Sequence, residues 1–302
     1  MVTLPLLLIA IIAWPLWLIH HVDASMNRVE ALSGAANTPG TTYLFAGSDS
    51  RDGWNEDDPT EGGRSDSMIL VHKAANGQTA MVSLPRDTYI DIPYVGWNKL
   101  NAAFSLGGPE LAVETVEQMT GLTVDHYVEI GMSGVGEIVD ALGGVNLCWD
   151  QDVSDEYSGM EWTAGCHDVN GTEALAFARM RYADPLGDVG RTMRQRQILG
   201  AVSDKALSWK TLVNPVKQLE LGDAAADALT VDHKTKIWNV GFLLLAMRSA
   251  SADGLTGAPP MWDYNAMMDV GSVMLLDEDL APVFFQKLAA GTLAPEDFDQ
   301  PL

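Results

Sequence analysis

The chain opens with one long apolar run and then alternates between short apolar segments and amphipathic ones. Residues 3–22 (TLPLLLIAIIAWPLWLIHHV) contain no Asp, Glu, Lys or Arg. A run of this length suffices for a helix that crosses the hydrocarbon core of a bilayer. It predicts one N-terminal transmembrane helix, with residues 1–22 as a membrane anchor. A cleaved signal peptide is the alternative, because the small residues Ala24 and Ser25 follow the run.

The anchor is followed by a polar segment, residues 23–40, which predicts a stalk ending in the loop signal Asn-Thr-Pro-Gly. We expect one folded domain from residue 41 to residue 302. Its first part is rich in β-branched and aromatic residues that predict three strands, over 41–46, 67–72 and 79–84. Polar segments adjoin these strands, where functional loops often lie.

Helical patterns then alternate with further strands. Helices are predicted over 109–120, 133–142, 171–181 and 191–209, and strands over 126–130 and 145–149. This alternation indicates an α/β sandwich rather than a helical bundle or a barrel. The pattern after residue 214 is less regular. Residues 238–247 form an apolar stretch too short for a second span, and they predict a buried core helix.

The charge of the chain is strongly negative, since 41 acidic and 18 basic residues give a formal net charge of −23. Binding to nucleic acid or to an anionic lipid surface by general attraction is therefore disfavoured. Basic residues that cluster in such a chain are informative, and eight of the ten arginines fall in short segments. These are Arg51, Arg64, Arg86, Arg179, Arg181, Arg191, Arg194 and Arg196.

Clustered arginines suggest a phosphate or pyrophosphate site, because the guanidinium group matches phosphate oxygens and keeps its charge. Carboxylates are interleaved with them, so ion pairs on the surface are the alternative. Carboxylates beside phosphate are also the usual ligands of Mg²⁺, and Asp49 and Asp66 are the metal candidates. The chain has no phosphate-binding Gly-rich Lys motif, no Gly-x-Ser-x-Gly and no His-Glu-x-x-His, which disfavours nucleotide hydrolysis, serine esterase chemistry and zinc peptidase chemistry.

The chain has two cysteines, Cys148 and Cys166, separated by a short polar loop. This spacing suits a disulfide bond, worth about 3 kcal/mol, in an oxidising compartment. Two free buried thiols are the alternative. A metal site is less favoured, because the two cysteines are not a closely spaced pair and His167 is the only imidazole near them in the sequence. The pair indicates that the folded domain faces outward.

Six segments together resemble the LytR-CpsA-Psr family, in the order in which that family has them. They are YLFAGSDSR (43–51), GRSDSMILV (63–71), VSLPRDTYIDIP (82–93), NKLNAAFSLGG (98–108), VEIGMSGVGEIVDALGGVNL (128–147) and ARMRYADPLGDVGRTMRQRQ (178–197). From the first segment to the last, the resemblance spans about half of the chain, with its core motifs within residues 41–210. The cysteine pair is similar to that of actinobacterial members.

The resemblance implies a single-pass membrane protein whose catalytic domain lies outside the bacterial cell, with an αβα fold around a mixed sheet. It implies an enzyme that uses Mg²⁺, with Mn²⁺ as the other candidate ion. Such an enzyme transfers a glycopolymer, such as teichoic acid or arabinogalactan, from a polyprenyl-pyrophosphate carrier to peptidoglycan. The apolar stretches after Leu111 and Ser133 are candidates for a lipid tunnel of the kind that the family has.

Site roles carried over from the resemblance fall on residues that match the family motifs. Asp49 and Asp66 resemble the magnesium-associated aspartates. The residues resembling the pyrophosphate-binding arginines are Arg64, Arg86, Arg179 and Arg181. Further substrate-binding candidates are Lys99, Asn101, Arg191 and Gln195. The catalytic candidates are Arg86, Arg179, Arg181 and Asp188, and Asp188 or Asp66 is the candidate base for the attacking hydroxyl.

Three other functions fit the same residues. One is a polyprenyl-pyrophosphatase that uses water as the acceptor, and another is a transferase of glycosyl phosphate to protein. A third is a lipid-binding or regulatory protein without catalysis. An outward-facing, acidic domain disfavours contact with nucleic acid.

Overall fold

A computed structural model describes residues 3–48, 65–180, 184 and 187–298. The helices in these ranges are α1 Thr3–Ser25, α2 Leu100–Thr120, α3 Met132–Ala141, α4 Gly171–Arg179, α5 Gly187–Ala206, α6 Trp209–Leu212, α7 Pro215–Ala228, α8 Ile237–Ala252 and α9 Leu280–Ala290. The strands are β1 Asn27–Val29, β2 Thr41–Ser48, β3 Ser65–Lys73, β4 Thr79–Leu84, β5 Tyr89–Ile92, β6 Gly96–Lys99, β7 His126–Gly131, β8 Val145–Trp149, β9 Val153–Asp155, β10 Met160–Trp162, β11 Gly165–Val169, β12 Leu229–Asp232, β13 Thr256–Gly257, β14 Met261–Met268 and β15 Gly271–Leu276.

The centre of the fold is a seven-stranded sheet with the order β1-β12-β7-β2-β3-β4-β13. Strand pairs β1–β12, β7–β2 and β4–β13 are parallel, and β12–β7, β2–β3 and β3–β4 are antiparallel. The predicted α/β fold with a central mixed sheet is therefore confirmed.

Alternation of side chains along the strands fills both faces of this sheet. In β2, Tyr43 and Phe45 belong to one hydrophobic cluster, and Leu44 and Ala46 belong to the other. The first cluster includes residues of α3, α4, α5, α7 and α8, and the second includes residues of α2 and α9. The sheet is thus the middle of three layers, and its central strands are apolar on both faces because both are covered.

Two predicted helices begin at other residues than the sequence indicated. Helix α2 starts at Leu100 instead of Pro109, with non-helical backbone at Gly107 and Gly108 that bends it where the sequence predicted its start. Helix α5 starts at Gly187 instead of Arg191. Both predictions placed the helix start after residues that usually break helices.

The segment between α1 and β2 takes part in the fold. Strand β1 pairs with β12, and Met26 and Ala31 on either side of it are buried. This part of the predicted stalk, residues 23–40, therefore belongs to the folded domain.

Helix α1 packs along α7. The indole of Trp14 donates to the Gln218 side chain at 2.6 Å, and His21 Nε2 lies 2.9 Å from Asp223 Oδ1. Val22 is buried against Gly222, where a side chain on residue 222 would meet it. Of the helices that the structure describes, none has the length and hydropathy of a membrane span.

The two cysteines face each other across the antiparallel pair β8–β11. Cys148 and Cys166 are register partners with a Cα–Cα distance of 4.0 Å, and they form a disulfide bond. The predicted disulfide is present. It lies beside α5, whose Gln197 side chain donates to the Cys148 carbonyl at 3.1 Å.

Candidate functional site

The ends of four strands meet at one edge of the central sheet. Ser48, the last residue of β2, pairs with Ser65 at the start of β3 and with Gly131 at the end of β7. Strand β4 ends next to the start of β3, since Leu84 pairs with Met68. Two predicted site residues, Asp66 in β3 and Arg86 just after β4, therefore lie at this edge.

Two cations from separate sequence motifs share one carboxylate there. Arg86 Nε lies 3.3 Å from Asp87 Oδ2, and Lys99 Nζ lies 2.9 Å from Asp87 Oδ1. All three side chains are largely buried, so their charges are less screened than those of surface ion pairs. We call these three residues the Arg86–Lys99 cluster. It carries a net positive charge, which suits an anionic ligand.

Backbone hydrogen bonds hold this cluster in place. The amide of Leu100 donates to the Thr88 carbonyl at 2.8 Å, and the amide of Asn101 donates to the Arg86 carbonyl at 3.0 Å. The amide of Met274 donates to the Asp87 carbonyl at 2.9 Å. Asn101 thus helps to position Arg86 through a backbone hydrogen bond. Asp87 was missed as a functional residue, although its place next to Arg86 in the sequence is a signal for it.

Helix α4 brings Arg179 toward the same edge. It starts with a capping box formed by Asn170 and Glu173. The amide of Gly171 donates to Asp140 Oδ1 at 2.7 Å near the end of α3, and Leu175 packs against Gly136, one turn earlier in α3. The two helices are therefore antiparallel, and α4 ends near the start of α3, which directly follows β7. Arg179, its last residue, is exposed.

A buried arginine of α5 fixes the end of α4. Arg194 Nε donates to the Phe177 carbonyl at 3.0 Å, and its two terminal nitrogens bond to the Met180 carbonyl and to the Asp184 carboxylate. Its guanidinium group also lies over the Trp149 ring, 5.2 Å from the centroid. These bonds satisfy carbonyls that the helix end leaves without partners. Arg194 thus supports the site without facing it.

Gly190 allows this arrangement. Asp184 is buried, and a Cβ atom at residue 190 would overlap its carboxylate. Glycine at this point of α5 therefore lets the helix approach the Arg194–Asp184 pair closely.

One face of α5 changes from polar to apolar along its length. Arg191, Gln195, Ile198 and Val202 follow one another at spacings of four, three and four residues, which places them on one side of the helix. Arg191 and Gln195 are half-buried near the start of the helix. Arg196 lies off this face, and burial lowers the pKa of its guanidinium group below the ordinary value. We call the four-residue series the α5 stripe.

The apolar end of the α5 stripe lines a cavity of about 280 Å³ between the sheet and the helices on one side of it. Its walls are almost wholly apolar. They include Phe45 and Val128 of the sheet, Ile138 of α3, and Leu18 and Val22 of α1. Of the two stretches predicted to line a lipid tunnel, the one after Ser133 lies here. The stretch after Leu111 packs on the opposite face of the sheet, because its apolar residues fill the other core cluster.

Several predicted residues cannot be placed in the site. Asp49, Arg64 and Arg181 lie outside the described residues, and for Asp66 and Asp188 only the backbone position is described. Among described residues, no group of three or more His, Cys, Asp or Glu side chains could hold a metal ion. The predicted magnesium ligands stay predictions.

The chain matches a protein-family model and is similar to proteins of two bacteria. The LytR_cpsA_psr family model matches residues 18–253. The chain is 38% identical over 276 residues to the "Probable cell wall biosynthesis protein LcpB" of Corynebacterium glutamicum, over 88% of this chain and 66% of that protein. It is 40% identical over 183 residues to the "Polyisoprenyl-teichoic acid--peptidoglycan teichoic acid transferase TagU" of Enterococcus faecalis, over 59% of this chain and 57% of that protein.

Solved structures share the fold. Protein gbs0355 from Streptococcus agalactiae superposes with a TM-score of 0.68 at 27% identity, over 84% of this chain and 88% of that one. The chain spans less than two thirds of the length of the two curated relatives named above.

Proposed function

The chain belongs to the LytR-CpsA-Psr family, and from this we propose that it transfers a glycopolymer from a polyprenyl-pyrophosphate carrier to peptidoglycan. The observation that carries the proposal is the α5 stripe, which joins a polar end with Arg191 to an aliphatic cavity. A ligand that fits both ends has an anionic head and an apolar tail, as a polyprenyl pyrophosphate has. The transferase name of the Enterococcus faecalis relative supports the same reaction class.

In the proposed reaction, a hydroxyl of peptidoglycan attacks the phosphorus that bears the glycopolymer. The new O–P bond forms, the bond to the polyprenyl phosphate breaks, and the hydroxyl proton passes to a carboxylate, for which Asp188 and Asp66 are the candidates. Negative charge grows on the leaving phosphate. We propose that Arg86, Lys99 and Arg179, with Arg64 and Arg181, stabilise that charge, because fixed cations in a partly dry site act strongly.

Asp49 and Asp66 are the proposed ligands of Mg²⁺, with Mn²⁺ as the alternative ion. Mg²⁺ commonly uses one or two protein carboxylates together with water and substrate phosphate oxygens. Bound there, the ion would add positive charge beside the leaving phosphate.

We further propose that residues 3–22 anchor the chain in the cell membrane, with the folded domain outside the cell. The disulfide between Cys148 and Cys166 supports the location, since such bonds persist in oxidising compartments. Leu18 and Val22, at the end of α1, line the cavity, so this end of the helix packs on the folded domain and a carrier lipid would enter beside it.

The test is a transfer assay with the purified full chain, a lipid-pyrophosphate glycan, Mg²⁺ and peptidoglycan. Removing the Arg179 side chain in Arg179→Ala should lower the rate about 100-fold or more, as loss of a charge-stabilising group does. Arg248→Ala is the matched control. Arg248 is half exposed and pairs with Asp204 at 2.9 Å, far along the chain from the site motifs, so its loss should leave the rate unchanged.

The same assay separates the alternatives. Phosphate release with water and no product on peptidoglycan would indicate a pyrophosphatase. No product with either acceptor would indicate a protein without this catalysis, and an unchanged rate in Arg179→Ala would contradict the role proposed for Arg179. A Val202→Phe variant tests the lipid cavity. It should weaken the use of a long-chain carrier and leave a short-chain analogue unaffected, because the introduced aromatic ring would occupy the space of the tail.

A further inference from the structure

A second, larger concavity lies beside the Arg86–Lys99 cluster, on the other side of the sheet from the lipid cavity. It has a volume of about 1160 Å³ and lies between the β5–β6 hairpin, the end of α2, the β14–β15 hairpin and α9. We call it the hairpin groove. Small-molecule sites usually have about 300–1,000 Å³, so this groove suits a longer ligand. Its far wall, in β14, β15 and α9, lies outside residues 18–253, which match the family model.

Aromatic rings on the groove walls are open to solvent. Trp97 is 60% exposed and Trp262 is 76% exposed. Tyr89 lies beside Trp97, with ring centroids 5.3 Å apart. Large rings left exposed in a concave surface commonly mark a binding site. Flat apolar faces of this kind suit the C–H faces of sugar rings.

Charge restricts the kind of chain that fits. The exposed carboxylates of Glu278 and Asp279 line the groove, with the amide of Gln286, and its described lining contains no Lys or Arg. Carboxylate and amide oxygens accept hydrogen bonds from sugar hydroxyls. They repel phosphate-bearing polymers, in a chain whose net charge is already −23. The groove therefore favours uncharged glycans over anionic ones.

The β5–β6 hairpin joins the hairpin groove to the Arg86–Lys99 cluster. Tyr89 and Lys99 are register partners in the β5–β6 hairpin, and Trp97 lies two residues before Lys99. All three therefore project from one face of the hairpin. Thr88, just before β5, forms a bridge with Met274 of β15, so the two walls of the groove meet next to the cluster. A chain lying on the rings would thus have one end beside the cations.

We propose that the hairpin groove binds an uncharged glycan chain and leads it to the reacting pyrophosphate. The proposal rests on the proposed transfer reaction for its role and on the groove alone for its ligand class. The glycan belongs either to the transferred polymer or to the peptidoglycan strand, and both present the same sugar hydroxyls and C–H faces.

Calorimetric titration of the full chain tests this, with three probes: a linear galactan oligosaccharide, an N-acetylglucosamine hexamer and poly(glycerol phosphate). We expect a neutral probe to bind more tightly than the polyanion. Trp97→Ala and Trp262→Ala should each weaken its binding about tenfold, a change of about 1.4 kcal/mol. Trp209→Ala is the matched control, because Trp209 is 70% exposed on α6 and is not part of the groove, so binding should not change.

A second pair of changes tests the charge argument. Glu278→Gln with Asp279→Asn should tighten binding of poly(glycerol phosphate) and leave the neutral probe within about threefold. Tighter binding of the galactan oligosaccharide would assign the groove to the transferred polymer, and tighter binding of the N-acetylglucosamine hexamer would assign it to the peptidoglycan acceptor. The proposal is overturned if neither neutral probe binds, if both tryptophan variants bind as wild type does, or if the polyanion binds more tightly in the groove.

Saccharide binding and transfer activity are measured separately, so either proposal can fail without the other. Arg179→Ala should lower the transfer rate about 100-fold or more and keep saccharide binding. Saccharide binding by a wild-type chain that transfers nothing would refute the proposed function and leave the groove standing. Transfer by a wild-type chain that binds no saccharide would refute the role of the groove and leave the proposed function standing.

Discussion

Arg194 holds the end of α4 in place without facing the site, and replacing it should lower both the stability of the fold and the activity. The side chain is 1% exposed, donates to the carbonyls of Phe177 and Met180, and pairs with the buried carboxylate of Asp184. Arg194→Met keeps similar length and apolar volume and removes every donor. It would leave Asp184 as a buried charge without this partner and would leave two helix-end carbonyls less well bonded.

The expected fall in the free energy of unfolding follows from the lost ion pair and hydrogen bonds. Breaking a buried ion pair by removing one partner costs about 3–5 kcal/mol. A buried carbonyl left unsatisfied costs about 1–3 kcal/mol, although water can enter near a helix end. We therefore expect Arg194→Met to lower the free energy of unfolding by at least about 3 kcal/mol, and to lower transfer activity because Arg179 loses its support.

Urea denaturation of the full chain measures this effect. The control is Arg248→Met, which breaks an exposed pair with Asp204 and should change the free energy of unfolding by less than about 1 kcal/mol. Adding Asp184→Leu to Arg194→Met should restore part of the loss, since no buried charge then remains unpaired. A loss below about 1 kcal/mol for Arg194→Met, or no recovery in the double variant, would refute the reasoning.

Three further predictions concern stability in urea. Burial lowers the pKa of His72 from its usual 6.5, so below that pH the unfolded chain takes up a proton that the folded chain does not. The contribution of neutral His72 to the free energy of unfolding is therefore fully present above about pH 6.5 and is lost as the pH falls. His72→Gln should flatten this decline in the free energy of unfolding between about pH 7.5 and about pH 5.5. Gly190→Ala should lower the free energy of unfolding by about 1–3 kcal/mol, because the new Cβ would overlap Asp184. Gly241→Ala is the matched control: its new Cβ meets no atom within 4 Å, so it should raise the free energy of unfolding by up to about 1 kcal/mol. Replacing both Cys148 and Cys166 by Ser should cost about 3 kcal/mol, and an unchanged midpoint would contradict the role given to the bond.

The strands of the sheet could be predicted from the sequence because local composition determines them. The segments 41–46, 67–72 and 79–84 lie inside β2, β3 and β4, with ends shifted by up to two residues. Both faces of these strands are covered, so they appear as continuous β-branched and aromatic runs. The pattern of alternating strands and helices was sufficient for the fold class.

Pairings between distant segments could not be predicted in the same way. Strand β1 has three residues, Asn27–Val29, and its partner β12 lies some 200 positions later, at Leu229–Asp232. Nothing local in so short and polar a segment distinguishes it from a stalk. Helix α2 illustrates a related limit, because Gly107 and Gly108 bend it without ending it.

Residue type alone also did not separate the arginines by role. Arg179, Arg191 and Arg194 fall in one sequence motif, yet Arg179 is exposed, Arg191 is half-buried on the α5 stripe and Arg194 is fully enclosed. Helical spacing separates them, since Arg194 lies three residues from Arg191 and is turned toward α4 and Trp149. The cluster seen in sequence is therefore part binding surface and part internal support.

Helix α5 contacts both the end of α4 and the cavity. Its inner side holds the end of α4 through Arg194, and its stripe runs from Arg191 to the aliphatic cavity at Val202. A shift of α5 would therefore move Arg179, Arg191 and the cavity wall together. Because Gln197 bonds to the carbonyl of Cys148, the disulfide-linked β8–β11 pair restrains the same helix from outside. The disulfide thus contributes to the geometry of the site as well as to the stability of the domain.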